Sequence, residues 1–294
     1  MDEPIHEIIR RHCRPLRPLP TGVEPRLKRL PGIKAVLFDL YGTLFVSGAK
    51  SHDGGTLEPS GDAMAEGLQA VGVAFRASKE QLASTFAETL QRQRGELLQQ
   101  GNEQPEVVIT EVWRETLHSL MAGGWVHREQ LTEARLRQIA AEYECRTNPV
   151  WPMPQIEPCL GGLRSVGILL GIVSNAQFLT RAIFPALMGA STEELGFDPQ
   201  LQFFSYEYGS AKPGLALHRA ARTALAELGV QPEQVLSVGN DFRSDVETAA
   251  RAGFRSALFA GDQRSLRPGD GAATDAPDLV VTELMQLLPC VAVL

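Results

Sequence analysis

With 294 residues, 44% hydrophobic and 21% charged, the chain has the composition of a globular protein that can bury a large core in one domain or two. Its net charge of −7 argues against general nucleic-acid binding. No apolar run approaches the roughly 18 residues of a transmembrane helix, and Met1-Asp2-Glu3-Pro4, followed by Arg10 and Arg11, lacks a signal-peptide core. A cytoplasmic protein without membrane or nucleic-acid partners is expected. The four cysteines (Cys13, Cys145, Cys159, Cys290) form no C-x-x-C pair, so free thiols are expected rather than a zinc site or a disulfide framework.

Residues 1–31 carry seven basic side chains, among them Arg10, Arg11, Arg14 and Arg17, punctuated by Pro15, Pro18, Pro20, Pro25 and Pro31. Ile5, Ile8 and Ile9 can form a turn or two of helix. The rest reads as an extended, solvated arm. The run Ala35-Val36-Leu37-Phe38-Asp39, broken by Gly42-Thr43, predicts a fully buried strand of a parallel sheet with Asp39 at its carboxyl end. Open α/β sheets bind ligands at that edge, and a carboxylate there can serve as a nucleophile.

Ser47 to Gly61 is rich in Gly, Ser and Asp and predicts a loop out of the core. Helical spacing then follows four times. Met64, Leu68 and Val71 come after Ser60, and Leu82, Phe86 and Leu90 after a Ser78/Gln81 capping box. Val108, Val112, Leu117 and Leu120 give the third helix, and Leu131, Leu136, Ile139 and Tyr143 the fourth. Residues 58–150 thus predict an all-helical insertion, closed by Asn148-Pro149 and further prolines. The expected division is an arm over 1–31, a core over 32–57 and 151–294, and the insertion between the core segments.

Strand and helix patterns then alternate: strands at Ile168–Val173, Phe203–Tyr206, Val235–Val238, Ser256–Phe259 and Leu279–Val281, helices at Leu215–Leu228, Val246–Ala252 and Leu284–Leu288. This predicts an α/β fold with a Rossmann-like parallel sheet covered by helices on both faces. Four of its strand ends carry polar groups: Asp39, Ser174, Lys212 and the Asn240/Asp241/Asp245 cluster. A parallel sheet brings such ends to one edge, although they span much of the chain.

In this order the groups resemble the haloacid dehalogenase (HAD) superfamily. Asp39-Leu40-Tyr41-Gly42-Thr43 is similar to its first motif, Ser174 to its second, Lys212-Pro213 to its third and Gly239 to Asp245 to its fourth. The resemblance covers 33–43 and about 160–288, and it identifies the insertion with the family's helical cap. It implies a hydrolase in which Asp39 attacks the substrate, while Thr43, Ser174, the Asn175 amide and Lys212 hold the transferring group. Asp39, the Tyr41 carbonyl, Asp241 and Asp245 would hold Mg2+, a hard ion suited to oxygen ligands. A phosphatase acting on a small phosphorylated metabolite through an aspartyl-phosphate is then expected.

Two departures qualify the resemblance. Phosphatases of the family usually carry an aspartic acid/base two positions after the nucleophile, where this chain has Tyr41. That tyrosine is similar to the metal-independent 2-haloacid dehalogenases, whose departing halide needs no proton. Asn240 stands where an acid is frequent, although Asp241 follows it. Asp241 and Asp245 favour the metal, since without one they would repel an anionic substrate. A dehalogenase-like hydrolase and a non-catalytic ligand-binding protein are the alternatives.

Overall fold

The computed structural model describes residues 3–49, 59–128, 130–269 and 276–291. In chain order its first elements are α1 (Glu3–His12), β1 (Ala35–Phe38) and β2 (Phe45–Ser47). Helices α2 (Gly61–Ala70), α3 (Lys79–Gln99), α4 (Ile109–Ala122) and α5 (Glu133–Thr147) follow, then β3 (Val150–Pro152), α6 (Ile156–Ser165), β4 (Leu169–Ser174) and α7 (Leu179–Met188). The chain continues through β5 (Phe197–Phe204), α8 (Ser205–Tyr208), α9 (Ala216–Glu227) and β6 (Val235–Gly239). A π-helical turn (Phe242–Glu247) leads into α10 (Thr248–Ala252), and β7 (Arg255–Phe259), β8 (Leu279–Val281) and α11 (Leu287–Val291) complete it.

Six strands form one parallel sheet in the order β5-β4-β1-β6-β7-β8, with β1 near its centre. All four β1 side chains are buried, as a sheet covered on both faces requires. Val36 and Phe38 pack on one face with Leu160, Leu163 and Ile183 from α6 and α7. Ala35 and Leu37 pack on the other with Leu217, Ala221 and Ala249 from α9 and α10. The fold is thus α/β and Rossmann-like.

Helices α2 to α5 bury a core of their own, around Met64, Leu68, Phe86, Trp113, Leu117 and Ile139. Ser78 and Gln81 make the reciprocal capping box that starts α3. The insertion leaves and re-enters the core through the antiparallel pair β2–β3. Residues 50–58, most of the loop expected over Ser47–Gly61, lie outside the described residues.

Three points bear on the expectations. First, residues 3–12 form a helix packed into the core, while residues 14–29 lie over the surface and are mostly exposed, as expected of the arm. Ile5, Ile8, Ile9 and Cys13 are buried in the main core, and Arg11 and His12 bond the buried Glu142 of α5 at 3.1 and 2.9 Å. The arm then runs over the sheet edge, where Arg26 bridges Val280 and the Leu30 N–H donates to the Cys290 carbonyl. Second, α7 fills a stretch with no predicted element. Third, the strand expected over Phe203–Tyr206 begins at Phe197, and Ser205 and Tyr206 belong to α8.

Candidate active site

β1, β4 and β6 are adjacent and parallel, so the ends of their buried runs open on one edge. The Asp39 N–H still donates to the Val238 carbonyl (2.8 Å), which sets the carboxylate just beyond the last paired residue. Gly42 then turns the chain with φ +85°, where a Cβ would overlap Ser265 and Asn240. Thr43, fully buried, donates to Asn240 Oδ1 at 3.0 Å, and Asn240 donates to the Ser265 carbonyl at 2.6 Å. Thr43 therefore spends its proton tying the first polar segment to the fourth.

Lys212 is the electrostatic centre. Its Nζ lies 2.8 Å from Asp39 Oδ1, 2.5 Å from Asp245 Oδ1 and 3.0 Å from the Val173 carbonyl. Burial works against the ammonium, but the two carboxylates overcome it and hold its pKa above the ordinary lysine value. Burial also pushes the Asp245 carboxyl up, to about 6, against the pull of Lys212. Gly239 makes room for this arrangement, because a Cβ there would collide with the Asp245 carboxylate.

Asn175 fixes the Lys212 backbone from both sides. Its Oδ1 accepts the Lys212 N–H at 2.7 Å, and its Nδ2 donates to the Lys212 carbonyl at 3.0 Å. Ser174, fully buried at the end of β4, makes only a 3.4 Å contact with the Asn175 carbonyl. Its hydroxyl is nearly uncommitted and can bond a ligand.

Three oxygens expected to face a cation receive no hydrogen bond among the described residues. Asp241 caps the π-helical turn by accepting the Ser244 N–H on Oδ1 at 2.8 Å, which leaves Oδ2 without a donor among the described residues. Asp39 Oδ2 and the Tyr41 carbonyl likewise receive none. Asp245, expected as a further ligand, has both oxygens engaged, one by Lys212 and one by the Asp241 N–H at 3.0 Å. Among the described residues no three His, Cys, Asp or Glu side chains cluster as a metal site.

The Tyr41 hydroxyl, at the position of the family's usual acid/base, is turned toward α7. It shares a 2.8 Å hydrogen bond with Thr180 Oγ1, at the buried start of α7. Desolvation, reinforced by nearby Glu144, pushes its pKa above the usual tyrosine value and makes it a weaker acid. No local pattern identifies Thr180 as its partner, because the two lie 139 residues apart. A recess of 220 Å³ beside the site is lined by Tyr41, Asn240, Asp241, Arg264, Ser265 and Arg267, among others.

Comparison with known proteins identifies the family. A model of the haloacid dehalogenase-like hydrolase family matches residues 33–253. A phosphoserine phosphatase of Thermus thermophilus is 34% identical over 170 residues, which cover 55% of this chain and 62% of that protein. The match thus spans less than two thirds of that relative. The 2-haloacid dehalogenase of Pseudomonas syringae pv. Tomato DC3000 superposes with a TM-score of 0.53 at 22% identity, over 88% of this chain and 97% of that one. A defluorinating L-2-haloacid dehalogenase gives 0.51 at 19% identity, over 94% and 98%. At these identities the two structures speak for the fold alone. With its family model spanning most of the sequence, from before β1 to the end of α10, the chain belongs to the haloacid dehalogenase-like hydrolases.

Proposed function

We propose that this hydrolase is a magnesium-dependent phosphatase acting on a small phosphorylated metabolite, with Asp39 as nucleophile. The observation that carries the reading is the set of undonated oxygens on Asp39, Asp241 and the Tyr41 backbone, beside a lysine already shared by two carboxylates. The phosphatase among its relatives supports it.

The Asp39 carboxylate attacks phosphorus and forms an aspartyl-phosphate; the P–O bond to the substrate oxygen breaks, and that oxygen leaves as the alcohol after taking a proton from solvent. Lys212 screens Asp39 against the incoming dianion, and Ser174 Oγ with the Asn175 amide bonds the phosphoryl oxygens. Water then attacks the acyl-phosphate and regenerates Asp39. The chain would hold Mg2+ through Asp39, Asp241 and the Tyr41 carbonyl, where the ion supplies charge neutralisation for the phosphoryl group. Tyr41 brings no carboxylate to the proton transfers, so the hydrolytic step is expected to be slow and to give a burst of released alcohol.

Hydrolysis of p-nitrophenyl phosphate with magnesium, and its loss in chelator, is the expected outcome. A second reading, a metal-independent 2-haloacid dehalogenase, is favoured by Tyr41, since a departing halide needs no acid. Chloride release from 2-chloropropionate in chelator, with no phosphate ester turned over in magnesium, would establish that reading and refute the first.

A further inference from the structure

One loop of the helical insertion is bonded to the core beside the site. Between α3 and α4 the chain runs along residues 209–211. The Glu106 N–H donates to the Gly209 carbonyl at 3.0 Å, the Ala211 N–H donates to the Gln104 carbonyl at 2.8 Å, and Pro105 bridges Ser210. The Asn102 side-chain amide donates to the same Gly209 carbonyl at 2.6 Å. The next residue after this run is Lys212.

Glu106 reaches further. Its Oε2 accepts from Ser205 Oγ at 2.7 Å and its Oε1 from Gln177 Nε2 at 3.0 Å. Ser205 is fully buried, and its oxygen in turn accepts the Ala176 N–H at 2.9 Å. Ala176 directly follows Asn175, the residue that holds the Lys212 backbone. A path of hydrogen bonds, with one peptide link between Ala176 and Asn175, therefore leads from a side chain of the insertion to the lysine that faces Asp39.

We propose that Glu106 is a positioning residue: seated on Ser205 and Gln177, it fixes the Ser174–Gln177 turn and, through Asn175, the lysine. The chemistry of the serine gives the reason. Ser205 Oγ has one proton and two acceptors within reach, the Glu106 carboxylate at 2.7 Å and the Ala176 carbonyl at 3.2 Å. With the carboxylate present the proton points at Glu106, and the lone pairs are left for the Ala176 N–H. Without it the proton turns to the Ala176 carbonyl, and the amide loses a well-aimed acceptor. The site's second and third polar segments are thus held in place only while this loop of the insertion is docked. Burial pushes the Glu106 carboxyl up, while its donors and the nearby Arg94 charge pull it down, consistent with a group held in place by its bonds.

Hydrogen exchange and kinetics on Glu106→Ala, Glu106→Gln and Ser205→Ala test this. In Glu106→Ala, exchange of the 174–177 segment is expected to rise by about tenfold or more while β1 and β6 stay protected. The turnover measurement rests on the phosphatase reading: kcat should fall by about 10- to 100-fold with KM changed by less than about threefold. Glu106→Gln keeps an acceptor for Ser205 and should restore most of both. Ser205→Ala should reproduce the exchange effect from the core side. Wild-type exchange at 174–177 in either alanine variant overturns the proposal. So does a general loss of protection that tracks a lowered Tm and is not rescued by glutamine. If the wild type hydrolyses no phosphate ester, the phosphatase reading fails, and exchange alone decides the role of Glu106.

Discussion

Lys212→Met puts the charge balance of the site to a direct test. The lysine contacts Asp39 and Asp245, and the three side chains are 3, 11 and 5% exposed. Methionine keeps most of the stem, so the change removes charge more than volume. Breaking a buried ion pair costs about 3–5 kcal/mol, because the carboxylates stay desolvated and lose their cation. That cost must depend on pH.

Asp245 is already raised from 3.8 to about 6. A raised carboxyl favours the folded state fully below its unfolded pKa, and that advantage is lost as pH climbs through the folded value. For a shift of roughly two units the swing is about 3 kcal/mol. Without Lys212 the carboxyl rises further, so at pH 5 it is protonated and spared most of the penalty, while at pH 8 the penalty is complete. Urea unfolding of the wild type, Lys212→Met, Asp245→Asn and the double variant, in chelator, measures this. We expect Lys212→Met to lose about 3–5 kcal/mol at pH 8 and less than about half of that at pH 5. The double variant should lose about 2 kcal/mol less than the sum of the singles, since asparagine can still accept the Asp241 N–H. Additive costs with no pH dependence would refute the reasoning and leave Lys212 as a packing residue.

Asp39→Asn should lower turnover by roughly 10⁴-fold or more while preserving the thermal transition, and retained activity would remove the nucleophile from the scheme. Magnesium at a hundred times its Kd should stabilise the protein by about 2.7 kcal/mol in calorimetric unfolding, and Asp241→Asn should abolish most of the gain. A full magnesium effect in that variant would place the ion elsewhere. Tyr41→Phe should cost about 1–3 kcal/mol by leaving Thr180 Oγ1 unpaired, yet change kcat by only a few-fold. A hundredfold fall with a shifted pH profile would mean that the hydroxyl moves the proton after all.

What the sequence reveals follows the range of each interaction. Asp39, Ser174 and the Asp241 segment stand at the ends of short apolar runs, and strand ends share an edge whatever the intervening chain does. The helix α7 is harder to see, because Pro185 lies inside it and interrupts an otherwise apolar turn. β5 is an edge strand that carries Asp198 and Pro199, residues that a central strand would exclude. In α1 the surrounding arginines mask the stripe of Ile5, Ile8 and Ile9, whose cover is supplied by helices far along the chain. Glu106 is the extreme case. Nothing near it marks it, since its partners Ser205 and Gln177 are 99 and 71 residues away.

The tyrosine two positions after Asp39 bears less on the choice between reactions than its side chain suggests. On the proposed reading a cation at this edge would take the Tyr41 backbone carbonyl, which any residue would supply, while the hydroxyl is drawn aside to Thr180. The charges discriminate better. Among the described residues Lys212 is committed to Asp39 and Asp245, and Asp241 makes no ion pair with it. The recess beside Asp241 does contain two arginines, but Arg264 is paired with the buried Asp262 and Arg267 Nη1 donates to the Arg264 and Leu266 carbonyls. Asp241 Oδ2 nevertheless receives no hydrogen bond among the described residues. Any anionic substrate, haloacid or phosphate ester, would have to approach that charge. A phosphate dianion brings more negative charge than a carboxylate, and a cation held by Asp39 and Asp241 would supply the charge neutralisation it needs. A half-buried carboxylate oxygen left without a donor at this edge would thus obstruct a metal-free displacement and serve a metal-assisted one.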